Sequence, residues 1–432
     1  MIKDITLIIG AALAIAIFVM PRRYFLLPYI VAACLIPADQ RIIMIDLDFT
    51  PLRMLIAAGV LRMFLRGEVV SIRWNTFDKT IFFWLICRCV VYVLLWADMK
   101  AVTNRSGVLF DAFGLYWLFR QNIRSWDDVR QAILLFALAA IVSAPLVAIE
   151  WVTGHNPFSA LGRVTTALRG GRYRCQGAFP HSIMLGLFWA TLTPIFIGLA
   201  SADKRKYLYW AAAIATGFIV IATASSTPIA ILIEILLLLA LFSYRHYGKL
   251  IVGGLCLLLV MLHMVMESPV WHLIARVNIV GGSTGWHRFH LIDQAIKHFD
   301  EWALWGTKGT GHWGYGLEDV TNQYILEGVR GGFISLVLLV IVLVMAVRTF
   351  GAYSLRPMPR KWQWFVWCLC VAMLGHCLSF IGVSYFGQIQ MLLYLMFAIA
   401  ALAYELSTPK AATAVVSVGT NGKHNGYINN YR

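Results

Sequence analysis

The sequence predicts an all-α integral membrane protein, a bundle of about 12–13 transmembrane helices with two sizeable periplasmic loops. Three observations predict it. Of 432 residues, 60% are hydrophobic and only 13% are charged, against about 25% charged in ordinary soluble domains. The apolar residues collect in runs near the length that crosses a bilayer. The chain also carries 16 Trp, 17 Tyr and 25 Phe, and Trp and Tyr favour the lipid–water boundary.

The runs fall at 5–20, 24–36, 50–65, 80–97, 106–119, 131–152, 182–200, 207–223, 225–243, 249–266, 332–349, 363–382 and 385–405. The first resembles a signal peptide in length, but it lacks a basic leader and a small-residue cleavage site, so it reads as a retained span. Basic clusters at Arg22–Arg23, Arg66 to Lys79, Arg120 to Arg130, Lys204 to Lys206, Arg245 to Lys249 and Arg348 to Lys361 separate alternate runs. All of them can therefore face the cytoplasm together, with the N-terminus outside and the C-terminus inside. The net charge of +15 is explained by this topology and by anionic headgroups rather than by nucleic acid, which is not expected as a partner. Residues 1–405 read as a single polytopic domain. Residues 406–432 read as a polar, disordered cytoplasmic tail. No internal repeat or separate soluble domain is evident.

Seven of the eight cysteines lie in apolar runs and Cys175 in a polar loop. Their spacing fits neither a disulfide framework nor zinc. Ionisable residues inside spans cost free energy in lipid, which singles out Asp111, Glu234, His263 and His376. Glu234 is expected to pair inside the bundle, with a proton or ion path as the sharper alternative.

Two long loops face away from the cytoplasm, 153–181 and 267–330, where an extracytoplasmic site could be built. The first holds Arg163, Arg169, Arg172 and Arg174, with His155 and His181, and no carboxylate. Four arginines on that side run against the positive-inside bias. The planar guanidinium fork suits phosphate oxygens, so a diphosphate clamp and plain headgroup contact are both open. The second loop holds an amphipathic stretch from Trp286 to Phe299. Phe289, Ile292, Ile296 and Phe299 share one face, with Arg288 on its flank and His290, Gln294 and Lys297 opposite. Arg288 could lie at headgroup depth, although spacing alone favours a surface helix whose arginine snorkels. Asp293 and Lys297 are spaced as a structural i, i+4 pair.

Candidate bases are Glu318, His290 and, behind them, Asp319. His272, His287, His298 and His312 share the loop without a metal-ligand spacing. A carboxylate at a membrane boundary can titrate near neutral pH; a solvated turn is the plainer alternative. Asp46 and Asp48 are an acidic pair that could hold a divalent metal, but such pairs are common by chance. No metal and no cofactor is expected.

Four stretches resemble the bacterial O-antigen ligase and polymerase superfamily, which includes Wzy-type polysaccharide polymerases. They are Asp48 to Glu68, Arg174 to Pro194, Thr223 to Leu232, and the segment from GGSTGWHRFHLIDQAIKHF through WGTKGTG to DVTNQYILEGVRGGFISL. The resemblance implies metal-independent, inverting glycosyl transfer at the outer leaflet of the bacterial inner membrane. The donor would be an oligosaccharide on undecaprenyl diphosphate. Arg174 (or Arg172) and Arg288 would hold the diphosphate. Arg163, Arg169, His181, Asn322 and Tyr324 would contact substrate. A flippase and a chain-length regulator are implied as partners, with membrane lipid. Ligases of the superfamily usually carry His immediately before the Asn of the last motif; here it is Thr321. The Ser-containing helix start also lacks its frequent Arg, since Thr227 follows Ser226. Both departures favour a polymerase over a ligase that moves glycan to lipid A core or protein. A flippase would show repeats and broken spans, and a non-catalytic scaffold would tolerate loss of the loop arginines.

Overall fold

The computed structural model describes residues 4–37, 39–44, 47–162, 164–276 and 285–407. The described residues are mostly helical, 76% of them, chiefly in 15 α-helices. In order these are α1 (Asp4–Val19), α2 (Leu27–Leu35), α3 (Pro51–Leu65), α4 (Thr76–Trp96), α5 (Met99–Asn122), α6 (Trp126–Thr153), α7 (Ser182–Ala202), α8 (Lys206–Ala222), α9 (Ser226–Ala240), α10 (Gly248–Val265), α11 (Gly285–Lys297), α12 (Phe299–Trp302), α13 (Gln323–Ser354), α14 (Arg360–Gly382) and α15 (Ile389–Glu405). Each of the thirteen apolar runs coincides with a helix. Only α11 and α12 lie outside them.

Helical segments 76–96, 126–153, 182–202, 226–265, 323–354 and 360–382 are long and apolar enough to cross a membrane. This is a multi-pass membrane protein. α1, α8 and α15 are apolar but shorter. At 9 residues, α2 rises only about 14 Å. The long stretch 226–265 is interrupted by a tight 3-10 turn over Leu241–Tyr247.

Cross-links sort the connections into two ends. At one end Arg22 reaches Asp128 (3.3 Å), Arg62 grips Glu68 (2.9 and 3.0 Å), and Arg124 donates to the Glu68 carbonyl (2.8 Å). There too Asn75 bonds the Ala401 carbonyl, Arg245 bonds Gln363, and Arg356 bonds the Leu406 and Ser407 carbonyls. The basic clusters thus gather on one side, as their alternation predicts. At the other end Thr6 bonds the Leu161 carbonyl (2.5 Å), and Gln388 bonds the carbonyls of Ala178 (2.9 Å) and Ile36 (3.3 Å).

The centre of the bundle is formed by α7, α14 and α15, whose residues are mostly buried. Small residues allow the close approach that membrane helices depend on. A side chain on Gly186 of α7 would meet Pro228 of α9 at 2.5 Å, which seats the start of α9 against the start of α7. By contrast α10 has no buried residue, and its apolar surface faces outward all round.

The buried charges are paired by helix geometry. Arg53 holds Asp111 through Nε (2.8 Å) and Nη2 (2.5 Å). Arg120 meets Asp78 at 2.8 Å, where Tyr116 also donates. Glu234 departs from the expected pairing: its Oε2 has no hydrogen-bond partner among the described residues. His376 bonds Tyr385 (2.8 Å), and His263 accepts from the Val270 amide (3.3 Å).

Candidate functional site

The arginine loop after α6 is more ordered than a surface connection. Its anchor is Glu150, fully buried near the end of α6. Oε1 accepts from Asn156 Nδ2 (3.2 Å), Thr166 Oγ1 (2.8 Å) and the Gln176 amide (3.0 Å), and Oε2 accepts from the Gly177 amide (2.9 Å). Between these bonds the chain forms a hairpin of β3 (Ala167–Arg169) and β4 (Arg172–Arg174). Gly170 (φ 57°) and Gly171 (φ 73°) make the turn, the two-glycine geometry that matches strand twist.

The register puts Arg169 directly opposite Arg172 and Ala167 opposite Arg174. Residues two apart on a strand share a face, so Arg169, Arg172 and Arg174 present three guanidiniums together. Like charges in cross-strand pairs repel; an anion on that face relieves the repulsion. Arg163 lies outside the described residues.

Arg174 reaches back into the bundle. Its Nη2 donates to Ser225 Oγ (2.8 Å), which also lies 3.2 Å from Ser182 Oγ. The Cys175 amide bonds the Ala222 carbonyl (3.2 Å) and fixes β4 to the end of α8. Arg174 Nε is buried without a partner among the described residues. Burial, and then Arg169, lower the Arg174 pKa, so the cation is held at a cost that an anion would offset.

Arg288 approaches the same place from the other loop. Its Nε donates to the Gly382 carbonyl at the end of α14 (2.8 Å). A methyl group on Gly382 would lie 3.4 Å from Arg288 Nε and 3.5 Å from Thr227 Cγ2. Arg174 therefore bonds Ser225, and Arg288 stands beside Thr227, two residues further along the first turn of α9. Helix N-termini favour negative charge because their first amides point outward. Burial lowers the Arg288 pKa as well.

The buried face of α11 is Leu291 and Ala295, three and seven residues beyond Arg288 and so on its side of the helix. They pack in a small core with Trp302, Trp313, Leu317, Val320 and Val329. The stripe expected to be apolar is partly outward: Ile296 is 51% and Phe299 44% exposed. Asp293 and Lys297 pair at 2.7 Å, as their spacing predicts.

His181 caps α7, its Nδ1 accepting the Ile183 amide (3.1 Å). A neutral ring in that position carries its proton on Nε2 and is a donor there. Burial and then Arg174 lower its pKa, while Asp319 raises it. Asp319 is thus the loop carboxylate within electrostatic reach of the Arg174 side. Glu318 is exposed next to it.

The remaining candidates are spent on architecture. His290 stacks on Trp286 (4.8 Å) and faces Gly314. Asn322 accepts the Ile325 amide (3.1 Å) and donates to the Ile381 carbonyl (2.8 Å), and Tyr324 donates to the Cys377 carbonyl (2.9 Å). These bonds join α13 to α14 and hold Gly382 where Arg288 meets it. Asp48 pairs with Arg41 (3.0 Å), and Asp46 lies outside the described residues. Among the described residues no group of three or more His, Cys, Asp or Glu could hold a metal ion.

Glu150, Ser182 and Ser225 are absent from the sequence-based site. An isolated carboxylate at the edge of an apolar run was the available signal for Glu150. The hydroxyls have no such signal. No family model and no curated protein sequence matches this chain.

Proposed function

We propose that this protein polymerises undecaprenyl-diphosphate-linked oligosaccharide repeats at the periplasmic face of the bacterial inner membrane, as a metal-independent, inverting glycosyltransferase. Its product would be an exopolysaccharide or O-antigen. The observation that carries the reading is the convergence of Arg174 and Arg288, from two separate loops, on the first turn of α9. With the basic end placed in the cytoplasm, that turn, at the opposite end of the bundle, faces the periplasm.

In this reading the two guanidiniums bind the diphosphate of the donor. As the anomeric carbon–oxygen bond breaks, the leaving diphosphate gains negative charge, and fixed cations in a partly dry site stabilise it. His181 Nε2–H adds a donor, while the Ser225 hydroxyl, which donates to the Thr223 carbonyl (2.9 Å), accepts from Arg174 and orients it. The acceptor hydroxyl attacks from the opposite face, and its proton passes to a base. Asp319 is preferred to Glu318 and His290, because its charge acts on His181, whereas His290 turns toward Gly314.

The test is to delete the gene and measure the repeat number and leaflet of lipid-linked glycans. Single repeats on the outer leaflet, without polymer, are expected. Long lipid-linked chains would replace the reading with a ligase, and single repeats trapped on the inner leaflet with a flippase. Re-expressed Arg174→Ala and Arg288→Ala proteins should each lose about 30- to 1000-fold in rate, from about 2–4 kcal/mol per charge-assisted contact. Arg→Lys should fare little better, since an ammonium cannot reproduce the fork. Normal polymer from both Ala variants at matched protein levels would end the proposal.

A further inference from the structure

A second group of cations lies apart from Arg174 and Arg288, where α4, α5 and α13 meet. Its carboxylate is Glu327 of α13, 2% exposed. Glu327 Oε1 accepts from Trp84 Nε1 (2.8 Å) and Ser335 Oγ (2.6 Å) and lies 3.5 Å from Arg88 Nε. The Cys89 thiol, one residue beyond Arg88, bonds the Arg105 carbonyl (3.9 Å) and ties α5 to α4 at that point. Arg105 is 6% exposed, its guanidinium lies 3.5 Å over the Tyr92 ring, and its Nε has no acceptor among the described residues. Arg330 stands at the same contact: a Cβ on the next residue, Gly331, would lie 3.3 Å from Arg88 Cα. Its side chain is exposed. Three guanidiniums against one carboxylate leave two positive charges without a counter-charge.

The chain is built to hold Arg330 there. α13 breaks at Gly332, whose φ is 71°. The loop after α12 is spliced into the break: the Thr307 amide donates to the Val329 carbonyl and the Phe333 amide to the Ala303 carbonyl, both at 2.8 Å. Lys308 follows directly, 5.7 Å over the Trp96 ring. Arg88 lies eight residues from the end of α4 and Arg105 six from the start of α5. They therefore sit about 9–12 Å inside that end of the bundle. Unpaired charge at such depth is expensive, and an arginine cluster matches phosphate oxygens in geometry and charge. Apolar residues of the same helices are exposed: Leu94 of α4 is 60%, and Phe333 and Ile334 of α13 are 46% and 63% exposed. A lipid tail can lie along them while its headgroup enters between the arginines.

We propose that this cluster is a second phosphate-binding site, and that its ligand is the phosphate or diphosphate headgroup of a membrane lipid entering sideways from the bilayer. The site stands whether or not the protein transfers glycans.

The test uses the full-length protein in detergent micelles, carrying Arg174→Ala and Arg288→Ala so that the first site is silent. Affinities are measured for farnesyl diphosphate, dioleoylphosphatidylglycerol and inorganic pyrophosphate. Farnesyl diphosphate or phosphatidylglycerol should bind, and adding Arg330→Gln or Arg105→Gln should weaken binding about 10-fold or more. Arg330→Lys should retain part of it. A preference for farnesyl diphosphate would identify a diphosphate lipid; equal binding of phosphatidylglycerol would identify a general headgroup site. Pyrophosphate binding as tightly as either lipid would overturn the lipid assignment. Unchanged lipid affinity in Arg330→Gln, whose side chain is at the surface and whose melting should match the parent, would overturn the site.

Discussion

Glu150 is the residue on which the arginine hairpin hangs, and replacing it separates architecture from chemistry. Glu150→Ala removes the acceptor of four hydrogen bonds at a fully buried position. Asn156 and Thr166 can turn their side chains elsewhere. The amides of Gln176 and Gly177 cannot, because Cys175 before them is fixed to Ala222. A buried donor left without a partner costs about 1–3 kcal/mol. Two such amides and the lost side-chain bonds give about 3–5 kcal/mol, or roughly two to three and a half orders of magnitude in the opening equilibrium of the loop. Glu150→Gln keeps an oxygen where three of the bonds meet. It sets its NH2 against the Gly177 amide, a loss of about 1–3 kcal/mol. The assay is hydrogen exchange over residues 166–177 in the purified protein, read by mass spectrometry. Exchange should rise in the order wild type, Gln, Ala, and polymer yield should fall in the same order. Wild-type exchange in Glu150→Ala would refute the anchoring role.

Three further outcomes are expected. Single cysteines replacing Arg169 and His298 should react with an impermeant maleimide added outside cells, while one replacing Arg356 should not; labelling at Arg356 would overturn the topology. His181 has its pKa lowered by burial and by Arg174, so the native state binds fewer protons than the unfolded chain. Its contribution to stability is complete above the ordinary imidazole value of about 6.5 and is lost as pH falls through the lower native value. The wild-type melting temperature should therefore drop more steeply below about pH 6.5 than that of His181→Asn, which keeps a capping acceptor; parallel curves would refute this. Gly332→Ala should abolish monodisperse protein, because its Cβ would meet the Leu304 carbonyl oxygen at 2.4 Å on a left-handed backbone, whereas Gly309→Ala, with open space around it, should be silent.

The helices were legible in the sequence because lipid imposes a rule on composition. Every backbone group at membrane depth must be satisfied within its own segment, so each apolar run coincides with a helix, and only α11 and α12 lie outside the runs. What the runs do not reveal is length and continuity. The run at 106–119 belongs to a 24-residue helix whose first turns carry Lys100 and Arg105. The interruption of 226–265 falls at LFSYRHY, whose basic residues mark an end but not a 3-10 turn. The hairpin was legible in principle: LRGGRYR has paired polar and apolar positions around two glycines. Four arginines and their charge draw attention away from that pattern.

The site divides along a similar line. Arg174 and Arg288 stand out as cations in the two long loops that alternate with the basic clusters. The face of α11 is harder to read, because that helix has two apolar surroundings. Leu291 and Ala295 pack on its own loop, while Ile296 and Phe299 stay outward, so periodicity alone names the wider stripe rather than the buried one. Arg88 and Arg105 show the limit from the other direction. A search for spans averages hydropathy over a window, and a single arginine in FWLICRCVVYVLLW scarcely lowers the mean. Yet a guanidinium cannot remain at that depth without partners: Arg88 meets Glu327 (3.5 Å) and Arg105 lies 3.5 Å over the Tyr92 ring. The exception within an apolar run therefore carries more information than the run itself: Arg88 of α4 meets Glu327 of α13, which lies just before the next run.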